Sequence, residues 1–239
     1  MSIFWKDTIP EGYYDNLLDN ADFGLTSIQS NWHKATFKNV KKFVSSTDFI
    51  LDYACGSGNF FGSFQDLKDG SMGVDISLKQ VKYANKKYGN KAIFKTLDEF
   101  EIDNYKKNFN RITCLGLIEF IEKQDIEELM NKFYNSLKND GKLILTTPNF
   151  TISMKILEKI LNKYGEVNYK DQYKNKFIIN DLENILLKSP FKNVTIKKII
   201  TPFIFLSFFN SELGLKINSF AERIFKNKFG FLFIVILQK

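Results

Sequence analysis

From residue 49 onward, short apolar runs alternate with stretches whose apolar positions recur every three or four residues, the pattern of βαβ units on a parallel sheet. The runs FILDYA (49–54), SMGVDI (71–76), AIFKT (92–96), RITCLG (111–116) and KLILTT (142–147) read as strands. Between them Asn59–Leu67, Leu78–Tyr88 and Ile126–Leu137 read as helices, the last because Ile126, Leu129, Met130, Phe133 and Leu137 keep helical spacing. Asn139-Asp140-Gly141 supplies a turn before the fifth strand, and Pro148 closes it. Helices at about 152–163 and 180–188 lead to a sixth strand, Val194 to Ile200. FLFIVIL (231–237) is apolar at every position, as a strand buried on both faces is.

Two segments stand outside this alternation. Residues 1–45 are polar-aromatic and helical in texture, and are expected to form an N-terminal cap over a domain spanning 46–239. Between the last two strands lies a Phe-rich insertion, 203–228, in which Phe209, Leu213, Ile217, Phe220 and Ile224 share one helical face. Three readings of that face are open. It seals the sheet edge and substrate mouth as part of the core, the usual meaning of such a stripe; it lines a pocket for an apolar or lipid-linked acceptor; or it lies in a membrane plane with lysines on the polar side.

The 239 residues, 44% apolar and 26% charged, suit one globular core. The net charge of +7 changes little, because the cations are lysines scattered along the chain, with Arg111 and Arg223 the only arginines. Nucleic-acid readers rely on arginine forks, so a nucleic-acid partner is not expected. Two cysteines, Cys55 and Cys114, and a single histidine, His33, provide neither a disulfide framework nor a zinc set. No metal and a reducing, cytoplasmic compartment are the expectation, with both thiols buried in strands. Trp5-Lys6-Asp7 interrupts any signal-peptide run, and no apolar stretch reaches the ~18 residues of a membrane span, leaving at most a peripheral membrane contact.

The chemistry concentrates in Leu51-Asp52-Tyr53-Ala54-Cys55-Gly56-Ser57-Gly58-Asn59-Phe60, a strand entering a Gly-x-Gly turn and then a helix. Glycines there permit a sharp turn and close approach of a ligand to the helix N-terminus. A dinucleotide fingerprint wants a third glycine where Phe61 stands. Asp52, at the strand end, would repel a pyrophosphate but suits a ligand carrying an ammonium and a sulfonium, which points away from NAD and toward S-adenosylmethionine. Nineteen residues after Gly56, Asp75 ends the second strand, where it either accepts both hydroxyls of a ribose or, with Ser77, opens the next helix. Asp98, just beyond the third strand, is either an acceptor for an adenine amino group or a solvated loop acid.

LDYACGSG, GVDIS, FNRITCLGLIEFI and LKNDGKLILTTPN resemble, in order and spacing, the successive motifs of class I S-adenosylmethionine-dependent methyltransferases over residues 49–149. The tail, YKDQYKNKF followed by a helix and a strand, is similar to a broad small-molecule subgroup often met near polysaccharide and natural-product genes. The resemblance implies a Rossmann-like α/β fold with a seven-stranded, mostly parallel sheet of order 3-2-1-4-5-7-6 and the last strand antiparallel. It implies that Asp52, Gly56 and Gly58 line the methionine end of the cofactor, with Leu115 and Gly116 beside it, that Asp75 holds the ribose and that Ile76 packs on adenine.

The chain departs from the pattern at Asn110, where Asp is usual, at Phe120, where many members have a Glu-His pair, and at Tyr173, where relatives often have His. With those histidines gone, the remaining candidates beside an acceptor are His33, Glu119 and Tyr14, then Tyr13 and Tyr173. His33 is either a substrate-side base or a histidine satisfying a local hydrogen bond. LGLIEF replaces the Pro-Pro-Tyr-type motif of base-flipping enzymes. The expected function is methyl transfer to a small-molecule acceptor, probed first as the hydroxyl, then the amine, of a saccharide or related metabolite; the competing reading is a non-catalytic cofactor-binding regulator or scaffold. The acceptor pocket is expected at the carboxyl ends of the strands between the first and fourth, faced by Glu119 and Asn149 and roofed by the cap and by Phe205, Phe208 and Phe209 of the insertion.

Overall fold

A computed structural model describes residues 4–19, 23–164, 167–169 and 171–239. A π-helical turn, Phe4–Thr8, precedes helices α1 (Tyr13–Asp19) and α2 (Gly24–Val40). The domain then runs β1 (Ile50–Tyr53), α3 (Asn59–Gly62), β2 (Met72–Asp75), α4 (Leu78–Tyr88), β3 (Ile93–Thr96), β4 (Phe109–Leu115), α5 (Lys123–Ser136) and β5 (Leu137–Pro148). It closes with α6 (Ile152–Tyr164), α7 (Ile179–Leu186), β6 (Asn193–Ile199), a 3₁₀ segment (Pro202–Phe208), α8 (Ser211–Ile224) and β7 (Leu232–Gln238). The seven strands order as β3-β2-β1-β4-β5-β7-β6, with β7 antiparallel to both neighbours and the other pairs parallel. That is the expected topology.

The uninterrupted apolar runs follow from burial on both faces. In β7, Phe233, Val235 and Leu237 point into one core with α5 and α7, while Leu232, Ile234 and Ile236 point into the other with α2 and α6. A period of two thus divides one hydrophobic string between two layers. Strand order reverses between β1 and β4, opening a crevice at their carboxyl ends. The residues before α2 fasten to α4 along that opening: Gln80 accepts from the Gly12 N–H (3.2 Å) and donates to the Pro10 carbonyl (2.6 Å), and buried Asp15 accepts from the hydroxyls of Tyr83 (2.8 Å) and Tyr88 (2.7 Å).

Three expectations change. Helix α3 stops at Gly62 instead of running to Leu67, because the Ser63 hydroxyl turns back onto the Phe60 carbonyl (2.5 Å). Strand β5 begins five residues early, at Leu137, and takes the Asn139-Asp140-Gly141 bend into the ladder with Asp140 at φ 63°. The insertion departs most. Its apolar stripe faces outward, leaving Phe209, Leu213, Phe220 and Ile224 exposed, so it neither seals the core nor lines the crevice. The buried side of α8 is instead small and polar: Gly214, Asn218, Ala221 and Glu222.

Hydrogen bonds explain the inversion. Where β6 leaves the sheet, Ile200 takes a left-handed φ of 61°, unfavourable for a β-branched residue, and its N–H donates to Glu222 Oε1 (2.8 Å). Glu222 also accepts from Asn218 (3.0 Å) and from Asn39 of α2 (3.0 Å), while Asn218 Oδ1 accepts from the Thr201 N–H (2.8 Å). Turning the phenylalanines inward would break these buried hydrogen bonds, a cost that outweighs the hydrophobic gain. Asn31 of α2 adds a bond to the Ser207 hydroxyl (2.8 Å). Glu222→Leu is expected to orphan two buried donors, the Ile200 N–H and the Asn218 amide, and lower unfolding free energy by about 3 kcal/mol in urea titrations, with a smaller loss for Glu222→Gln.

Candidate active site

At the carboxyl ends of β1, β2 and β4 lies a cavity of about 300 Å³, walled by the strand-end turns, the N-terminal helices, α6 and the segment around Tyr169 and Tyr173. Its floor is the turn after β1. Ala54, Gly56 and Gly58 all have positive φ (66°, 53° and 77°), and Gly56 lies so close beneath the Tyr14 ring that a Cβ there would sit 3.0 Å from it. The turn is tied down from β2: Asp75 accepts the Gly56 N–H (2.9 Å) through one oxygen and the Ser77 N–H (2.8 Å) through the other. Burial raises the Asp75 carboxyl above its ordinary range, and these backbone donors work in the opposite direction.

Asp52 sits one strand over. The β1–β4 register sets it beside Thr113, whose hydroxyl donates to Asp52 Oδ1 at 2.6 Å. Burial lifts its pKa to about 7, against the Thr113 bond, and the nearby Asp75 charge adds to the rise. Glu119, in the 3₁₀ turn Ile118–Phe120 after β4, is 2% exposed; its Oε2 makes no hydrogen bond of good geometry, and burial pushes it up to about 8 against the opposing effect of its own backbone N–H and the nearby Thr147 hydroxyl. The described lining thus holds three carboxyl groups and no lysine or arginine, in a chain of net charge +7.

The opposite wall is aromatic. Trp5 packs on Phe120 (ring centroids 4.5 Å) and stacks on Tyr169 (5.9 Å), and Phe120 stacks on Tyr173 (5.0 Å). Phe120 and Tyr173, the two positions where the resembled family carries histidines, therefore face each other. The Tyr14 and Tyr169 hydroxyls are hydrogen-bonded, and burial raises both above their ordinary range. His33 meets Tyr14 edge-on at 6.0 Å and Phe37 at 6.2 Å, and burial lowers its pKa to about 4, leaving the ring neutral at pH 7.

Of the residues singled out in the sequence, Asp52, Gly56, Asp75, Ile76, Leu115, Gly116, Tyr14, His33 and Glu119 all line this one cavity. Gly58 and Asp98 do not. Gly58 is packing space beneath the turn, where a Cβ would fall 2.8 Å from Phe94 and 3.0 Å from Ala84. Asp98 is exposed because a capping box between Thr96 and Glu99 winds residues 97–99 into a 3₁₀ turn, and Leu97 lines the cavity in its place. Asn149 bonds the Gly230 carbonyl (2.9 Å), and Phe205 packs on Phe231 (5.7 Å), both away from the cavity wall. Trp5, Gln80 and Tyr169 were not marked by the sequence, and Phe120 was marked only as a departure from the family pattern. Only their aromatic or amide character beside the cap and the fourth strand signals them.

A nucleoside-sized crevice at the switch point of a parallel sheet, with acids at the ends of β1 and β2, defines a Rossmann-like cofactor-binding domain. Residues 50–141 match the family model described as a methyltransferase domain. A carboxy-S-adenosyl-L-methionine synthase of Helicobacter pylori (strain Shi470) is 27% identical over 140 residues, covering 56% of this chain and 52% of that protein. The chain thus spans about half the length of such curated relatives. The structure of a SAM-dependent methyltransferase from Archaeoglobus fulgidus aligns with a TM-score of 0.58 at 19% identity, covering 87% of this chain and 93% of that one. Magnesium protoporphyrin IX methyltransferase from Synechocystis PCC 6803, solved with bound SAH, aligns at 0.60 and 14% identity over 99% and 96% of the two chains. Residues 50–141 thus match a methyltransferase domain, and the chain has the class I fold of these S-adenosylmethionine-dependent methyltransferase structures.

The buried carboxyls set a pH dependence. Folded Asp52 and Glu119 keep protons that unfolded carboxyls have already released, so stability is lost as pH rises toward their folded values near 7 and 8. His33 works the other way, but only below its ordinary value of 6.5. Urea unfolding of the unliganded protein is expected to show lower stability at pH 8 than at pH 6.5, with a shallower slope in Glu119→Gln.

Proposed function

We propose that the chain transfers the methyl group of S-adenosylmethionine to a hydroxyl or amino group of a small-molecule acceptor, a saccharide or related metabolite. The observation that carries this reading is the buried Glu119 carboxyl, with no hydrogen bond of good geometry at Oε2, in the same cavity as Asp52, Asp75 and the Gly56 turn. The residues present fit the cofactor: Asp52 has a threonine hydroxyl on it and no described lysine or arginine paired with it, so a cationic ligand would stabilise its ionised form. Asp52 and Gly116 would hold the methionine end and Asp75, Ile76 and Leu97 the nucleoside. When bound, S-adenosylmethionine supplies an electrophilic methyl carbon on a sulfonium.

The chain's own contribution is proton removal and orientation. An ammonium must give up a proton to present a lone pair, and a hydroxyl must lose its proton as its oxygen bonds to the methyl carbon and the sulfonium leaves as the thioether; ionised Glu119 would accept that proton at Oε2. His33, at about 4, is a far weaker base at neutral pH. Tyr14 and Tyr169 stay protonated and donate hydrogen bonds, while Trp5, Phe120 and Tyr173 offer flat faces to a sugar ring and exclude water. Orientation of this kind supplies on the order of 7–11 kcal/mol. The Helicobacter pylori relative is named for a carboxylated cofactor. Here another carboxylate would join Asp52, Asp75 and Glu119 with no described cation in the lining, and that charge pattern favours neutral or cationic acceptors. The free cysteines Cys55 and Cys114 suit a reducing compartment such as the cytoplasm.

Incubation with S-adenosylmethionine and a panel of neutral and amino sugars, read as S-adenosylhomocysteine release, tests the reading. Turnover should rise with pH through about 8, and Glu119→Gln should lose that limb and about 10²-fold in kcat while still binding cofactor. Cofactor binding without release on any acceptor would favour the non-catalytic reading. Both tryptophans, Trp5 and Trp32, line the cavity, so S-adenosylhomocysteine should change the intrinsic fluorescence. In that titration Asp75→Ala should bind about tenfold or more weakly, and should also melt lower because the Gly56 and Ser77 N–H groups lose their acceptor.

A further inference from the structure

We propose that the outer face of the 203–228 insertion docks the protein on an anionic lipid surface, whatever the acceptor in the cavity. On α8 the row Leu213, Phe220 and Ile224 is 51%, 61% and 56% exposed, and Phe209, just before the helix, is 80% exposed. Scattered exposed apolar residues are ordinary; a row of this length on one helical face is not. The face cannot be hidden by rotating the helix, because its other side is bonded to Ile200, Thr201 and Asn39 through Glu222 and Asn218. The amphipathicity of α8 is therefore fixed with the apolar side toward the outside.

Charge selects the occupant. Lys216 and Arg223 each follow an exposed apolar residue, Leu213 and Phe220, by three positions, which sets them along one flank of the row. Lys226 and Lys228 continue the exposed cations past the helix end. Of the two acids in the segment, Glu222 is buried and Glu212 pairs with Lys216 (2.5 Å), so Arg223, Lys226 and Lys228 carry the net positive charge beside the row. An apolar row bordered by cations matches an interfacial helix on anionic headgroups. A second copy fits poorly, because a twofold contact would set the same cations against themselves. No described helix is long and apolar enough to cross a membrane, so the contact proposed is in-plane.

The test is co-sedimentation of the full chain with vesicles of phosphatidylcholine alone or with about 30% phosphatidylglycerol. Binding is expected on the anionic vesicles, at least tenfold weaker on the neutral ones, and reduced by added salt. Phe220→Glu should abolish it and Arg223→Glu should weaken it severalfold, with melting temperature and S-adenosylhomocysteine affinity unchanged in both. Absence of binding to anionic vesicles, or equal binding by Phe220→Glu, overturns the proposal. So does a dimer in analytical ultracentrifugation that Phe220→Glu dissociates, since a second copy would then cover the face.

Discussion

One carboxylate holds the cavity floor together. The turn after β1 contains three residues in left-handed conformations and offers few side chains of its own for anchoring. Asp75 reaches across from the next strand and takes a backbone N–H from each of two βα turns, at Gly56 and at Ser77. It can do so because β1 and β2 are paired in parallel with Tyr53 opposite Val74, which brings the ends of both strands to the same level. The Tyr14 ring over Gly56 and the cap residues fastened to α4 lie against that joint, beside Asp52 held by Thr113.

Much of this was legible in the residues. Runs such as FILDYA and FLFIVIL announced strands because burial on both faces leaves no polar alternation, and the Asp52, Gly56 and Asp75 spacing located the floor. The insertion was not legible, and the reason is physical. Its apolar stripe is real, but a stripe names a face without saying which way the face points. Orientation was decided by Asn218 and Glu222, whose partners Ile200, Thr201 and Asn39 are distant in the chain or come together only at a fold-dependent bend. Asp98 illustrates the same limit on a smaller scale: a capping box from Thr96 to Glu99 turned it outward and Leu97 inward.

Charge is divided in an uneven way. The chain is rich in lysine overall, yet the described cavity lining holds three carboxyl groups and no lysine or arginine, and the lone histidine is held neutral. Burying carboxyls without cationic partners is unfavourable to the empty fold. The arrangement makes sense as preparation for a positive ligand, whose arrival would relieve a strain that the polypeptide alone maintains.

The place of β7 has a consequence for synthesis. Residues 232–238 form the strand between β5 and β6, and among the described residues β6 has no other neighbour in the sheet. As the polypeptide emerges from a ribosome, β6 and the phenylalanines that follow it must therefore wait, unpaired, until some thirty later residues have been made. Only then can the ladder close and the bend at Ile200, whose carbonyl accepts the Phe231 N–H at 2.9 Å, be locked. The half-made chain thus carries an open strand edge and a greasy segment together, the combination that most invites nascent-chain aggregation and chaperone capture.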